Sequence, residues 1–93
     1  MSLRFEWNAR KAALNLKQHG ISFSEASTVF GDPLSITIND PDHSESEQRF
    51  LDVGRSNLGR LIVVSYTERG ERIRIISARP PTQSEQRQYE EAQ

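Results

Sequence analysis

Ten of the twelve basic residues are arginines, and seven of them (Arg49, Arg55, Arg60, Arg69, Arg72, Arg74 and Arg79) lie within residues 49–79, a stretch without lysine. A guanidinium stays charged at any physiological pH and presents a planar fork of donors that matches two phosphate oxygens at once. In a strand, the alternation Arg72-Ile73-Arg74 projects both guanidinium groups from one face. With Ser65 and Thr67 on the neighbouring strand, that face makes a platform for a phosphodiester chain. The plainer account is that alternating arginines keep an exposed sheet soluble and its edges unpaired.

Other side chains invite chemistry less directly. His19 precedes a helix-ending Gly20, where interaction with the helix dipole is the simpler role and proton transfer the alternative. Tyr89 reads first as the packing anchor of a last helix and second as a stacking partner for a base. Asp40, Asp42, His43, Glu45 and Glu47 resemble a metal loop in composition only. Their spacing lacks the glycine and terminal bidentate glutamate of a calcium loop, and two histidines in the whole chain cannot build a His-rich site. An acidic loop that repels RNA or docks a basic partner is the more economical reading, and no metal or cofactor is expected. With no cysteine, disulfides, thiol nucleophiles and zinc-thiolate sites are excluded, and no nucleophile elbow, Walker loop or dinucleotide fingerprint is present.

The elements that must carry these residues follow from periodicity. Phe5-Glu6-Trp7 is a short extended start. Asn8 caps a helix whose Ala9, Ala12, Ala13 and Leu16 recur at helical spacing until Gly20 stops it. Ser22-x-x-Glu25 opens a second helix through Phe23, Ala26 and Phe30, ended by Gly31-Asp32-Pro33. Leu34, Ile36 and Ile38 then alternate with polar residues, as in a strand buried on one side. After the acidic loop come three strand-like runs, Arg49 to Gly54, Arg60 to Glu68 and Glu71 to Arg79, separated by Ser56-Asn57-Leu58-Gly59 and by Arg69-Gly70. If both connections are tight hairpin loops, Val53 opposes Ile62, Leu51 opposes Val64, Tyr66 opposes Ile73 and Val64 opposes Ile75. That register gathers Leu51, Val53, Ile62, Val64, Ile73 and Ile75 under the helices and puts Ser65, Thr67, Arg72 and Arg74 on the other face of a one-sided antiparallel sheet. Ala78-Arg79-Pro80-Pro81 ends the sheet, and Thr82-x-x-Glu85 starts a C-terminal helix over Ser84 to Ala92 with one substantial apolar residue, Tyr89. A helix with so little to bury is expected to be mobile or docked on something else.

Ninety-three residues at 10.6 kDa with 34% apolar residues and a mean hydropathy of −0.69 allow one domain, residues 1–93, with a modest core. The net charge of −1 argues against a molecule that is basic all over. It is a cancellation of blocks: residues 49–79 set seven arginines against Asp52, Glu68 and Glu71, while the acidic residues concentrate in 32–48 and 80–93. No signal-peptide core or apolar run of membrane-spanning length appears, so a cytoplasmic, membrane-free protein is expected.

Phe5-Glu6-Trp7-Asn8, Asn15-Leu16-Lys17-Gln18-His19-Gly20, Ser22-Phe23-Ser24-Glu25-Ala26, Asp32-Pro33-Leu34, Arg49-Phe50, Glu68-Arg69-Gly70-Glu71-Arg72-Ile73-Arg74-Ile75-Ile76-Ser77-Ala78-Arg79 and Tyr89-Glu90, in that order, resemble the BrnT family of toxins from bacterial type II toxin–antitoxin systems. The resemblance implies an α+β, RelE-like fold: an antiparallel β-meander with two N-terminal helices packed on one face and a short C-terminal helix. It also implies an endoribonuclease that cleaves RNA without metal or cofactor and inhibits growth. The implied partners are the RNA and a BrnA-like antitoxin, which neutralises the toxin and alone touches operator DNA. Carried onto this chain, the family motifs give Arg72, Arg74 and Arg79 the phosphate and transition-state charge, and make Lys17, His19 and Glu68 candidates for proton transfer. Arg49, Ser65 and Tyr89 would contact RNA. One departure from the family is that residues 80–86 carry no basic side chain. The competing reading is a non-catalytic RNA- or protein-binding module that retains the fold.

Overall fold

The computed structural model describes residues 3–39 and 48–93. In chain order the elements are β1 (Arg4–Glu6), α1 (Ala9–His19), α2 (Phe23–Ser27), a 3₁₀ turn (Thr28–Gly31), β2 (Ile36–Asn39), β3 (Arg49–Arg55), β4 (Leu61–Arg69), β5 (Arg72–Arg79) and α3 (Gln83–Glu91). The strands form one sheet in the order β1-β5-β4-β3-β2. The acidic cluster from Asp40 to Glu47 lies outside the described residues.

Both ends of α1 follow the sequence. Asn8 accepts a hydrogen bond from the Lys11 amide at 3.0 Å, and Gly20 adopts a left-handed φ of 69° that returns its N–H to the Leu16 carbonyl. The polar residue on its inner side, Asn15, is buried. Its amide donates to the carbonyls of Ile21 and Ala78 and its oxygen accepts from the Ala78 N–H, fastening α1 to β5. The second helix is shorter than its apolar spacing suggests and tightens into the 3₁₀ turn at Thr28. There the hydroxyl donates back to the Glu25 carbonyl at 2.6 Å, a bond that competes with continuation of the α-helix.

On one face of the sheet, Ile21, Phe23, Ala26 and Val29 pack on Ile62, Val64, Ile75 and Ala78. A chain of rings, Phe5, Phe30, Tyr66 and Phe50, extends this core with centroids 4.9 to 5.6 Å apart. Gly54 lies under the 3₁₀ turn, where a Cβ would come within 2.9 Å of both Ser35 and Val29, so β3 can pass only without a side chain there.

Three expectations are corrected. The sheet is mixed, because β1 pairs parallel to β5, with Phe5 opposite Ile73 and Glu6 opposite Arg74. Three residues are too few for periodicity to reveal that they cover the outer edge of β5. Between β3 and β4 the loop holds five residues, Ser56 to Arg60, closed by the Ser56 N–H on the Arg60 carbonyl. Leu51 therefore opposes Ser65 and Val53 opposes Val63, one residue away from the expected register. A slip of one turns every side chain of β3 over, so Leu51 and Val53 face away from α1 and α2. The β4–β5 turn is likewise displaced: Arg69 pairs with Arg72, Tyr66 opposes Ile75 rather than Ile73, and after a bulge Val64 opposes Ala78 rather than Ile75. Here the displacement before the bulge is two residues, which preserves the faces.

The sheet is consequently not one-sided. Val53, Val63 and Tyr89 form a second core with Ile36, Ile38, Leu51 and Leu61 at its margin. This core is what α3 docks on. Its capping box forms as the sequence indicates, with Thr82 and Glu85 each bonding the other's backbone N–H.

Candidate nucleic-acid interface

Because directly paired residues share a face, the register sets out the surface opposite α1 and α2 in rows. One row runs Arg49–Thr67–Arg74–Glu6 across β3, β4, β5 and β1; the row beside it, nearer the β4–β5 turn, is Arg69–Arg72–Arg4. On the other side come Leu51–Ser65–Ser77 and then Val53–Val63–Arg79. Val53 and Val63 of this last row are buried with α3's Tyr89, and Leu51 and Leu61 from the rows on either side pack against them. Arg49 and Arg74 flank Thr67 from strands on either side, about 10 Å apart at the backbone given the ~4.8 Å strand spacing. Arg74 and Arg79 are about 15 Å apart along β5. The expectation that Ser65, Thr67, Arg72 and Arg74 share a face holds, and Arg49 and Arg79 share it too.

Carboxylates hold several of these arginines in place. Arg74 donates to Glu6 Oε2 at 2.9 Å, and Arg72 approaches Glu6 Oε1 at 3.6 Å. The hydrogen bond from Arg74 outweighs partial burial and holds the Glu6 carboxyl below its ordinary value. Arg79 grips Glu85 with two hydrogen bonds of 2.8 Å, which bring the Glu85 carboxyl down to about 2. Among the described residues Arg49 has no hydrogen-bond or ion-pair partner, and it is only half-buried. Arg60 is a different case: it pairs with buried Glu25 and donates to the Gly20 carbonyl, so it clamps the β3–β4 loop to the α1–α2 corner.

The remaining candidates are dispersed. Lys17 and His19 are exposed in the last turn of α1, and the neighbouring Gly20 carbonyl meets Arg60 at the start of β4. Thr67 lies seven residues further along β4, about 20 Å or more at ~3.3 Å per residue, and on the opposite face. Glu68 is at the same end of the sheet as Arg72 and Arg74 but shares the face of Ile73 and Tyr66. Tyr89 is 4% exposed, with its hydroxyl donating to Asp32 Oδ2 at 2.7 Å and the Arg55 guanidinium 5.9 Å from its ring centre. The ring is therefore spent on packing. Burial raises the Tyr89 hydroxyl, and the Asp32 carboxylate beside it adds to that. Burial also pushes Asp32 upward, but the Arg55 N–H, the Tyr89 hydroxyl and the Leu34 N–H together leave it lowered.

Glu6 and Glu85, which orient the arginines, were not singled out from the sequence. Glu85 carried a signal, since a capping-box glutamate six residues after an arginine can fold back onto it. Glu6 carried none, because its position depends on β1 pairing with β5.

The family model described as ribonuclease toxin BrnT of type II toxin–antitoxin systems matches residues 7–85. Among solved structures, the Brucella abortus ribonuclease toxin BrnT superposes with a TM-score of 0.63 at 20% identity, covering 88% of this chain and all of that one. At that identity the likeness speaks for the fold. No curated protein matches the chain. Among the described residues no helix is long and apolar enough to cross a membrane. With its match spanning both helices of the first core and every strand of the sheet except β1, the chain belongs to the BrnT family of ribonuclease toxins of type II toxin–antitoxin systems.

Proposed function

We propose that the protein, as one toxin domain over residues 1–93, is a cytoplasmic endoribonuclease that cleaves RNA without metal on the sheet face opposite α1 and α2. A BrnA-like antitoxin is the partner that neutralises it. The observation that carries this reading is that Arg49, Arg74 and Arg72, outside the second core, keep exposed surface around a buried Thr67 on one face of the sheet. In such cleavage the 2′-oxygen loses its proton and forms a bond to phosphorus. The bond to the 5′-oxygen then breaks, and that oxygen takes up a proton, leaving 2′,3′-cyclic phosphate and 5′-hydroxyl ends. Negative charge builds on the phosphorane oxygens between these steps, and preorganised guanidinium groups stabilise it more than they stabilise the ground state. Arg49 and Arg74, fixed on neighbouring sides of Thr67, are positioned for that task, with Arg72 alongside. Arg79 continues the basic track for the flanking backbone, while Ser65 is buried and lies beneath that track. Lys17 and His19 have no part in this reading, and Tyr89 serves it by holding α3. The RelE-like character of the fold is part of the same proposal.

A second reading, a module that binds RNA or protein without cleaving, draws on the ion pairs that already engage Arg72, Arg74 and Arg79. The double variant Arg72→Ala/Arg74→Ala separates the two. Purified, antitoxin-free protein is incubated with RNA in excess EDTA, and new 5′-hydroxyl ends are counted. Cleavage by the unaltered chain and its loss in the double variant is the expected result. No cleavage, or cleavage unchanged by the double variant, overturns the assignment to this face.

A further inference from the structure

Around the end of the sheet, next to the β4–β5 turn, lies a groove of about 530 Å³, within the ~300–1,000 Å³ of small-molecule sites. Leu3 and Ile73 give it an apolar floor. Glu68 lines it from the face of Ile73, Glu71 from the turn, and Arg4 and Arg72 from the arginine face, so the groove wraps around the end of the sheet. Arg72 belongs both to this groove and to the arginine face, and Arg4 is its cross-strand neighbour. Among the described residues Arg4, Glu68 and Glu71 have neither a hydrogen-bond nor an ion-pair partner. That sets them apart from Arg60, Arg74 and Arg79, each held by a carboxylate. The groove therefore offers one pair of acceptor-only groups, one uncommitted guanidinium and an apolar surface, adjoining a phosphate-binding arginine.

An ionised carboxylate only accepts, and a guanidinium only donates. A base satisfied by both must present adjacent donors on one edge and adjacent acceptors on another. Guanine does so, with N1–H and the 2-amino group on its Watson–Crick edge and O6 and N7 on its Hoogsteen edge. Adenine and cytosine each place a lone amino donor beside a ring acceptor, which would face a carboxylate lone pair to lone pair. Uracil's N3–H stands between two carbonyls. We infer that this groove is a guanine-reading subsite, in which Glu68 and Glu71 accept from the Watson–Crick edge, Arg4 donates to the Hoogsteen edge, and Leu3 and Ile73 bear the ring. The inference rests on the arginine face being where RNA binds, and it adds base selectivity beside the phosphate at Arg72.

Nucleotide binding tests it independently of cleavage. Purified, antitoxin-free protein is titrated in EDTA with 3′-GMP, 3′-IMP and 3′-AMP, following amide chemical shifts. The expected result is 3′-GMP bound about tenfold or more tighter than 3′-AMP, the worth of one hydrogen bond to a charged group. 3′-IMP, which lacks the 2-amino group, should fall between them. Glu71→Gln should reduce the preference for 3′-GMP several-fold, and Glu68→Gln likewise, with cleavage ends becoming less biased toward guanosine. Equal affinity for the three nucleotides overturns the subsite, as does a guanine preference that survives Glu68→Gln/Glu71→Gln together. A guanine preference that depends on the two glutamates in a protein that cleaves no RNA upholds the subsite and overturns the ribonuclease reading instead.

Discussion

The two faces of the sheet are built from alternate residues of the same strands, yet they solve different problems. Beneath α1 and α2, Ile62, Val64 and Ile75 are essentially inaccessible and packed against Phe23 and Ala26. On the other side the Val53–Val63 end is covered by Tyr89, Ser65 and Thr67 are also buried, and it is Arg49, Arg72 and Arg74 that keep exposed surface. Stability is concentrated on the first face, and the proposed phosphate chemistry on the second. The contrast also separates two uses of arginine. Arg60 is turned toward a buried glutamate and joins elements, whereas Arg74 is turned along an open sheet and held by the partly exposed Glu6.

If that division is right, substitutions on the two faces should fail in different assays. The largest effect is expected at Phe23. Phe23→Ala removes the largest fully buried ring of the first core and should cost about 3–5 kcal/mol, read as a lower denaturant midpoint; a shift below 1 kcal/mol would mean that the helix face is not the main source of stability. Arg74→Ala should do the reverse, cutting RNA cleavage by about 10²–10³-fold while leaving the midpoint nearly unchanged, because exposed ion pairs contribute little. A comparable loss of folding stability would merge the two faces into one.

Intermediate in size is Tyr89→Phe. It keeps the ring but removes the hydrogen bond to the Asp32 carboxylate, for about 1.5–3 kcal/mol; hydrogen exchange of α3 amides should quicken while those of α1 stay protected. Equal quickening in both helices would show that the second core is not a separate unit.

The smallest effects concern carboxylates and have opposite signs. Glu85 is lowered to about 2 from 4.5, chiefly by Arg79. Its contribution is complete above about pH 4.5 and is lost as the pH falls toward 2. Glu85→Gln should flatten the acid limb of a stability–pH curve over that window. Asp52 is buried, accepts among the described residues from the neutral hydroxyls of Thr37 and Tyr66, and is raised by burial. A raised carboxylate favours folding in its protonated form, so its ionisation costs stability as the pH rises above 3.8. Asp52→Asn should therefore make the protein more stable at neutral pH, read as a higher denaturant midpoint. A lower midpoint would show that the Asp52 charge has a compensating partner.

Much of this was readable in the residues. Asn8 and Gly20 bounded α1, Ser22 opened α2, and Thr82 with Glu85 opened α3, because caps are local: side chain and amide lie within a few positions of each other. The sharing of a face by Arg72 and Arg74 was readable for the same reason, being fixed by alternation within one strand. The motif order, from Asn15-Leu16-Lys17-Gln18-His19-Gly20 to Arg72-Ile73-Arg74, also carried the family. What failed was the reading of β3, where one extra loop residue, Arg60, inverted Leu51 and Val53.

Which side chains meet across the fold was settled only in three dimensions. No local rule says that Glu6 reaches Arg74, that Tyr89 covers Val53 and finds Asp32, or that Lys17 and His19 are kept away from the arginine rows. Those outcomes depend on strand order and on loop length to the single residue, and strand pairing between distant segments is decided by the burial available to the whole chain. The sequence by itself determined the helix ends, the alternating arginines and the family. Tertiary structure decided which arginines are clamped, which keep exposed surface on the face opposite α1 and α2, and that the sheet buries apolar surface on both faces.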